Sequence, residues 1–373
     1  RAQDPIGEGL TWEVSKQYNL GLDLGLFDNR LSFSGEGYIR NTEGMLTGSM
    51  VLPSFYGAGS PRENSADLAT KGVELSLTWK DSFSLLGRPF GYSITGTYND
   101  YVAHITKYKG NASKIYNGYY VGKKLGEIWG YKTDGLFQTD EEAAEYSANV
   151  KLDKVADNLP DSEWKAGDLK ILDLNHDNVI NQGLLRVDDC GDYTVIGNSL
   201  PRYQYGFTLT ANWNGFDFSA FFQGIGHMDW YPPADNRNFW FCYTRAGSTW
   251  IPKDFMDDVW SETNKDAYFP RPAAGDGKQL GYLKVNNDRY IQNIGYLRFK
   301  NLTVGYTIPK NVVKKLGMAS ARVYFSGENI WYWSPLKKHD KYIDPENAMA
   351  EGGSWLFYYP WQKTYSIGID VDF

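Results

Sequence analysis

Asp173, Asn175, Asp177 and Asn181 occupy positions 1, 3, 5 and 9 of the stretch DLNHDNVIN. Hard oxygen donors on alternate residues of a tight loop suit Ca²⁺, and Val179 stands where a backbone carbonyl would complete the set. Two positions depart from that pattern. Position 6 is Asn178 rather than glycine, although asparagine tolerates the left-handed conformation better than most residues. Position 12 is Leu184, so the usual bidentate glutamate is missing, and Asp188 or Asp189 is expected to replace it after an insertion. The same residues also suit a polar loop held by Asx turns, and the spacing leaves both readings open.

A second chemistry lies in rings. Trp230, Tyr231, Trp240 and Trp250 crowd the stretch 229–289, and Trp333 and Trp355 stand in a later loop. Flat rings facing water suit sugar faces or apolar peptide side chains. Rings also build lipid-interface girdles, protein interfaces and the interiors of long loops. Cys190 and Cys242 flank the hairpin 201–228 and are candidates for a disulfide in an oxidising compartment. The four histidines are scattered with no zinc spacing. Neither a nucleophile elbow nor a phosphate-binding glycine loop occurs, so no catalytic constellation is read and no enzyme is expected.

Composition narrows what must hold these residues. The 373 residues carry a net charge of -7, which excludes an electrostatic nucleic-acid footprint. Aromatic content is 16%. No run approaches the ~18 apolar residues of a membrane helix. Two classes remain, a soluble β protein and a transmembrane β-barrel, whose strands need only about ten alternating residues. The chain opens at RAQDPIGEGLTWEVSKQY, already in mid-pattern, so a mature or cut fragment is expected.

Strand-like alternation recurs along the chain. Leu20, Leu22, Leu24 and Leu26 alternate with polar residues and glycine. Tyr203 to Trp213 does the same, followed by Asn214-Gly215, a strong hairpin signal. The stretch 290–307 slips phase between Phe299 and Leu302, which predicts a bulge. The chain closes on TYSIGIDVDF, alternating to its last residue. Roughly nine strands result. Short connections (FDNR, DSFSLLGRP, NG, IPKNVVKKLGMAS) alternate with long ones at about 47–67, 105–200, 229–289 and 333–361. Short turns on one rim and long loops on the other are an outer-membrane barrel's arrangement. Parity then puts 119–138 in the extracellular excursion or in a non-spanning ribbon. An all-β fold follows, a transmembrane antiparallel barrel in which 105–200 and 229–289 are extracellular. Exposed strand edges are not tolerated in lipid, so further strands and a plug are expected to precede this chain.

Several motifs in order carry a resemblance. TWEVSKQYNLGLDLGLFDNRLSFSGEGYIRNTEGML, KGVELSLTW, GEIWGYKTDGLFQTDEE, GDLKILDLNHDNVIN, DYTVIGNSLPRYQYGFTLTANWNGFDFSAFFQG, YLRFKNLTVGYTIPK, ENIWYWSP and YIDPEN span essentially all 373 residues. The chain resembles the C-terminal part of SusC/RagA-type TonB-dependent outer-membrane transporters. The resemblance implies a plugged barrel of about 22 strands, of which this chain is the last nine. It implies a SusD-like surface lipoprotein as lid and energy delivered through TonB. It also implies import of oligosaccharides or peptides and often a dimer of barrel–lid pairs. Phe373 would be the terminal aromatic presented to the assembly machinery. The family's TonB box, plug and N-terminal carboxypeptidase-like domain have no counterpart here. The competing expectation is a soluble extracellular β-sandwich that binds glycans, which shares the strands and aromatics but gives no reason for sorted loops.

Overall fold

The computed structural model describes residues 10–48, 61–152, 155, 163–245, 249–273, 277–349 and 361–373. Nine long strands form one sheet: β1 (Val14–Leu26), β2 (Leu31–Gly48), β3 (Arg62–Leu85), β4 (Arg88–Tyr108), β5 (Arg202–Trp213), β6 (Phe216–His227), β7 (Tyr296–Thr307), β8 (Ser320–Trp333) and β9 (Thr364–Asp372). They pair in that order, every pair antiparallel, with β1 and β9 at the edges.

The turns on one rim are tight. Phe27, Asp28 and Asn29 all take positive φ between β1 and β2. Asn214 (φ 48°) and Gly215 (φ 90°) make the β5–β6 turn, whose two left-handed residues match the twist of the flanking strands. The β3–β4 connection is shorter than expected. Phe83 pairs with Phe90 across the strands, which carries pairing down to Leu85 and Arg88 and leaves only Leu86-Gly87 to turn. The expected bulge is present, with the register shifting between Phe299 and Asn301.

The register sorts the two faces. One outward row reads Leu24, Phe33, Leu77, Gly96, Phe207, Phe222, Phe299 and Trp331 across β1 to β8, each paired with the next. Phe207, Phe222 and Phe299 stack within it at centroid distances of 4.5 and 4.3 Å. Apolar side chains on the outer face stay exposed, Leu20 to 83% and Ile367 to 79%. The opposite face carries Glu36, Glu74, Asn99 and Gln204 in one row and Ser34, Ser76 and Thr97 in the next. A sheet that exposes its apolar face and lines its other face with polar groups is the reverse of a soluble sandwich and is what a lipid-facing wall requires.

The long excursions lie beyond the other rim. Residues 119–138 do not join the sheet. Glu127–Tyr131 pairs with Tyr193–Asn198, and Thr133–Leu136 with Leu169–Ile171, as short ribbons. A helix, α1 (Asp140–Asn149), starts where the Thr139 hydroxyl accepts from the Glu142 amide and the Glu142 carboxylate accepts from the Gln138 amide. The excursions 109–201 and 228–295 and the segment after β8 share one hydrophobic core, with Phe137, Ile180, Phe239, Phe269, Tyr290 and Ile343 in its interior. These three segments therefore form a single packed cap.

Candidate functional site

The 173–181 loop is held by Asx-type turns with two left-handed residues. Asn178 adopts φ 64° and His176 φ 60°. The Asp173 carboxylate accepts from the amides of His176 (2.7 Å) and Asn178 (2.9 Å). Asn175 Oδ1 accepts from the Asp177 amide, and Asp177 Oδ1 from the Val179 amide. Each of the three side chains is thus engaged in turns with amides of its own loop, and Asn175 Nδ2 also donates to the Asp177 carboxylate at 3.0 Å. The rest of the expected set does not join them. Asn181 Nδ2 donates to the Val179 carbonyl while its Oδ1 accepts from the Gly183 amide, so both are engaged locally. Asp188 forms an ion pair with Arg186 at 2.8 Å, and Asp189 enters the turn through its backbone carbonyl, so neither replaces the missing glutamate. Among the described residues no group of three or more His, Cys, Asp or Glu side chains is placed to hold a metal.

The residue that closes this loop is Asp192, which sequence spacing missed. Its carboxylate accepts from the amides of Leu174 (2.7 Å) and Asn181 (3.0 Å), one near each end of the loop. It is fully buried, and that burial pushes its carboxyl above the usual range despite the amides. The available signal was an acid at the head of the alternating stretch DYTVIGN.

The aromatic candidates divide. Trp230, Tyr231 and Trp240 are inside the cap rather than on a ligand surface. Trp230 and Trp240 are 5% and 1% exposed, and burial pushes the Tyr231 hydroxyl far up. The Tyr231 hydroxyl is spent on the backbone, donating to the carbonyls of Leu283 and Val285. A long excursion needs its own interior, and these rings provide it. Trp333 also departs from expectation. It pairs with Leu297 in the outward register, beside Trp331, so it belongs to the outer face at the cap end of the barrel. Trp250 keeps an exposed face and packs edge-on against Tyr342 at 4.5 Å. Trp355 lies outside the described residues.

The two cysteines are free thiols, not a disulfide. Each packs against the cap core from a different excursion, and burial pushes both thiols up.

No family model matches the chain. Curated relatives do. TonB-dependent receptor P3 of Formosa agariphila is 27% identical over 388 residues, covering 99% of this chain and 35% of the receptor. TonB-dependent receptor SusC of Bacteroides thetaiotaomicron is 24% identical, covering 99% of this chain and 33% of SusC. Among solved structures, the RagAB peptide transporter superposes with a TM-score of 0.67 at 22% identity, over 98% of this chain and 36% of that one. The RagAB peptide importer in its closed-closed state superposes with a TM-score of 0.65 at 24% identity, over 97% and 36%. The chain has the fold of the matching third of that transporter and is similar in sequence to TonB-dependent receptors along nearly its whole length. The chain spans about a third of the length of the curated relatives it matches.

Within that barrel fold the polar face becomes the lumen wall. A cavity of about 460 Å³ opens on it, lined by Glu36, Glu74, Asn99, Gln204 and Gln223 among others. Of the charged residues on the strands, Arg322 reaches Asp217 at 2.6 Å, whereas Glu328 stays exposed. Arg298 and Lys300 meet Asp344 and Glu346 of the YIDPEN stretch. Those two acids were legible only as part of a motif. Their partners follow from inward register on β7.

Proposed function

We propose that this chain is wall and extracellular cap of an outer-membrane importer. It takes up peptides or oligosaccharides with energy delivered through TonB. One observation carries the reading: a nine-stranded meander with an apolar outer row, a polar inner face and the excursions 109–201 and 228–295 gathered with the segment after β8 into one cap. The sheet edges β1 and β9 would leave backbone groups unpaired in lipid, so in the complete protein further strands close the wall. A SusD-like lipoprotein lid over the cap, a plug in the lumen and a dimer of barrel–lid pairs complete the proposal. Ligand is held between lid and cap, and pulling on the plug through TonB opens the lumen path. The chain's part is binding and passage, not catalysis.

We also propose Ca²⁺ as the occupant of the 173–181 loop, held by Asp173, Asn175 and Asp177. Its support is the oxygen chemistry and the left-handed Asn178. The import reading is tested by deleting the complete protein from its host and following uptake of a labelled peptide mixture and a labelled oligosaccharide mixture. Uptake of one is expected to fall to the level of cells lacking TonB. Unchanged uptake of both contradicts the reading.

A further inference from the structure

The segment after β8 turns back into the barrel. The Ser334 hydroxyl donates to the Gly295 carbonyl at 2.7 Å and caps a single turn, Pro335–Lys338. Leu336 and Ile343 enter the cap core. His339 stacks on Tyr268 of the 228–295 excursion, 3.6 Å between ring centres, and Lys341 reaches Asp254 at 2.7 Å. The chain then lays two acids on the inner wall. An Arg298 terminal nitrogen stands 2.6 Å from both carboxylate oxygens of Asp344. Glu346 receives Lys300 at 2.8 Å and lies 3.3 Å from Arg298 Nε. Arg298 is 1% exposed, with its guanidinium 4.6 Å from the Tyr332 ring centre and 5.7 Å from that of Trp361.

A guanidinium buried this far depends on its counter-ions, and the returning segment supplies them. The place matters as much as the pairing. Arg298 pairs in register with Gln223, and Gln223 lines the lumen cavity. The same short segment is therefore fixed to the cap at one end and to the lumen wall at the other.

We propose that residues 334–346 are a strap across the cap end of the lumen, and that Arg298, Lys300, Asp344 and Glu346 are its latch. Latched, the strap narrows the way from the cap to the cavity. Released, it opens that way. Because His339 and Lys341 tie the strap to the cap, displacement of the cap is transmitted to the latch as a choice between two arrangements. The inference rests on the importer reading for its biological use, but its test requires no transport.

The test uses the complete protein in the outer membrane of whole cells, with Cys190→Ser and Cys242→Ser and one reporter cysteine at Gln223. A membrane-impermeant maleimide is added outside. A second reporter, at the exposed Trp250 of the cap, measures surface display. Labelling at Gln223 is expected to be slow with the latch intact. It should rise by about tenfold when Asp344→Asn and Glu346→Gln are combined, because Arg298 then loses its buried counter-charges and the closed strap loses its advantage. Trp250 labelling should not change. If the double variant is not displayed, Arg298→Lys tests the same point, since lysine keeps the charge and loses the forked geometry. Equal Gln223 labelling in latched and unlatched proteins overturns the latch. Gln223 labelling as fast as Trp250 in the latched protein overturns the strap. A protein absent from the outer membrane overturns the importer reading instead.

Discussion

Asp168 and Arg271 tie the two long excursions together: the Asp168 carboxylate accepts from Arg271 Nε at 2.9 Å and from a terminal guanidinium nitrogen at 3.2 Å. They are 103 residues apart in sequence, and the Asp168 side chain is 1% exposed. Asp168 lies next to the ribbon Leu169–Ile171, and Arg271 lies beyond Phe269 of the shared core. Replacing Asp168 by alanine removes this ion pair at a partly buried junction, a loss on the order of 1–3 kcal/mol. Limited proteolysis is expected to cut both excursions faster while the barrel strands stay protected. Unchanged cutting would show that the pair does not hold the cap.

The two faces of the sheet predict opposite tolerance to charge. Phe222 sits in the middle of the stacked outward row, so Phe222→Arg places a cation against lipid at a cost of about 2–4 kcal/mol near the bilayer midplane. Thr97, on the lumen wall, should accept arginine with little change. Urea midpoints of the complete protein refolded into vesicles compare them. Equal loss from both substitutions would mean that the outer face does not meet lipid.

The proposed cation loop separates two roles. Asp173→Ala removes an oxygen that would bind Ca²⁺, whereas Asp192→Ala removes the buried carboxylate that closes the loop. Added Ca²⁺ is expected to raise the thermal midpoint of the native cap and to have no effect on the Asp173 variant. The Asp192 variant should be destabilised with or without Ca²⁺. A native midpoint indifferent to both Ca²⁺ and a chelator would remove the cation and leave a loop of Asx turns.

Acid is expected to loosen the strap end of the cap. Burial, with Lys338 and Arg289 close by, pushes His339 down from 6.5 to about 4. Between those values the unfolded chain binds a proton that the folded chain does not, so stability falls as pH drops through that window. His339→Phe keeps a ring against Tyr268 and removes the proton. Its thermal midpoint should therefore lose less on acidification than that of the native chain. Parallel pH slopes for the two proteins would exclude His339 as the source.

The wall was more legible than the cap. Alternation is a period-2 signal that any half-exposed strand must show, so Leu20 to Leu26, Tyr203 to Trp213 and TYSIGIDVDF were readable locally. The Phe299 phase slip was readable for the same reason. The cap is built by contacts between residues far apart in sequence, and no local period records them. Sequence therefore left Trp230 and Trp240 open between ligand-facing and interior places, and packing puts them inside. Cys190 and Cys242 looked like a pair because they flank one hairpin, yet each is held by its own excursion. Trp333 was misplaced because the bulge at Phe299/Asn301 and the left-handed Asn329 must both be known before its face can be assigned. Asp192 and Asp344 act through backbone amides and a distant arginine, which composition does not reveal.

On the proposed reading this sheet is a lipid-embedded wall. The most direct measurement is the behaviour of the complete protein in isolated outer membranes under alkaline and urea washing, followed by detergent extraction and mass spectrometry of the intact assembly. Retention in the membrane through the washes, release only by detergent, and a lipidated second subunit in the extracted complex are expected. Release into the aqueous wash as a single soluble species would contradict that reading.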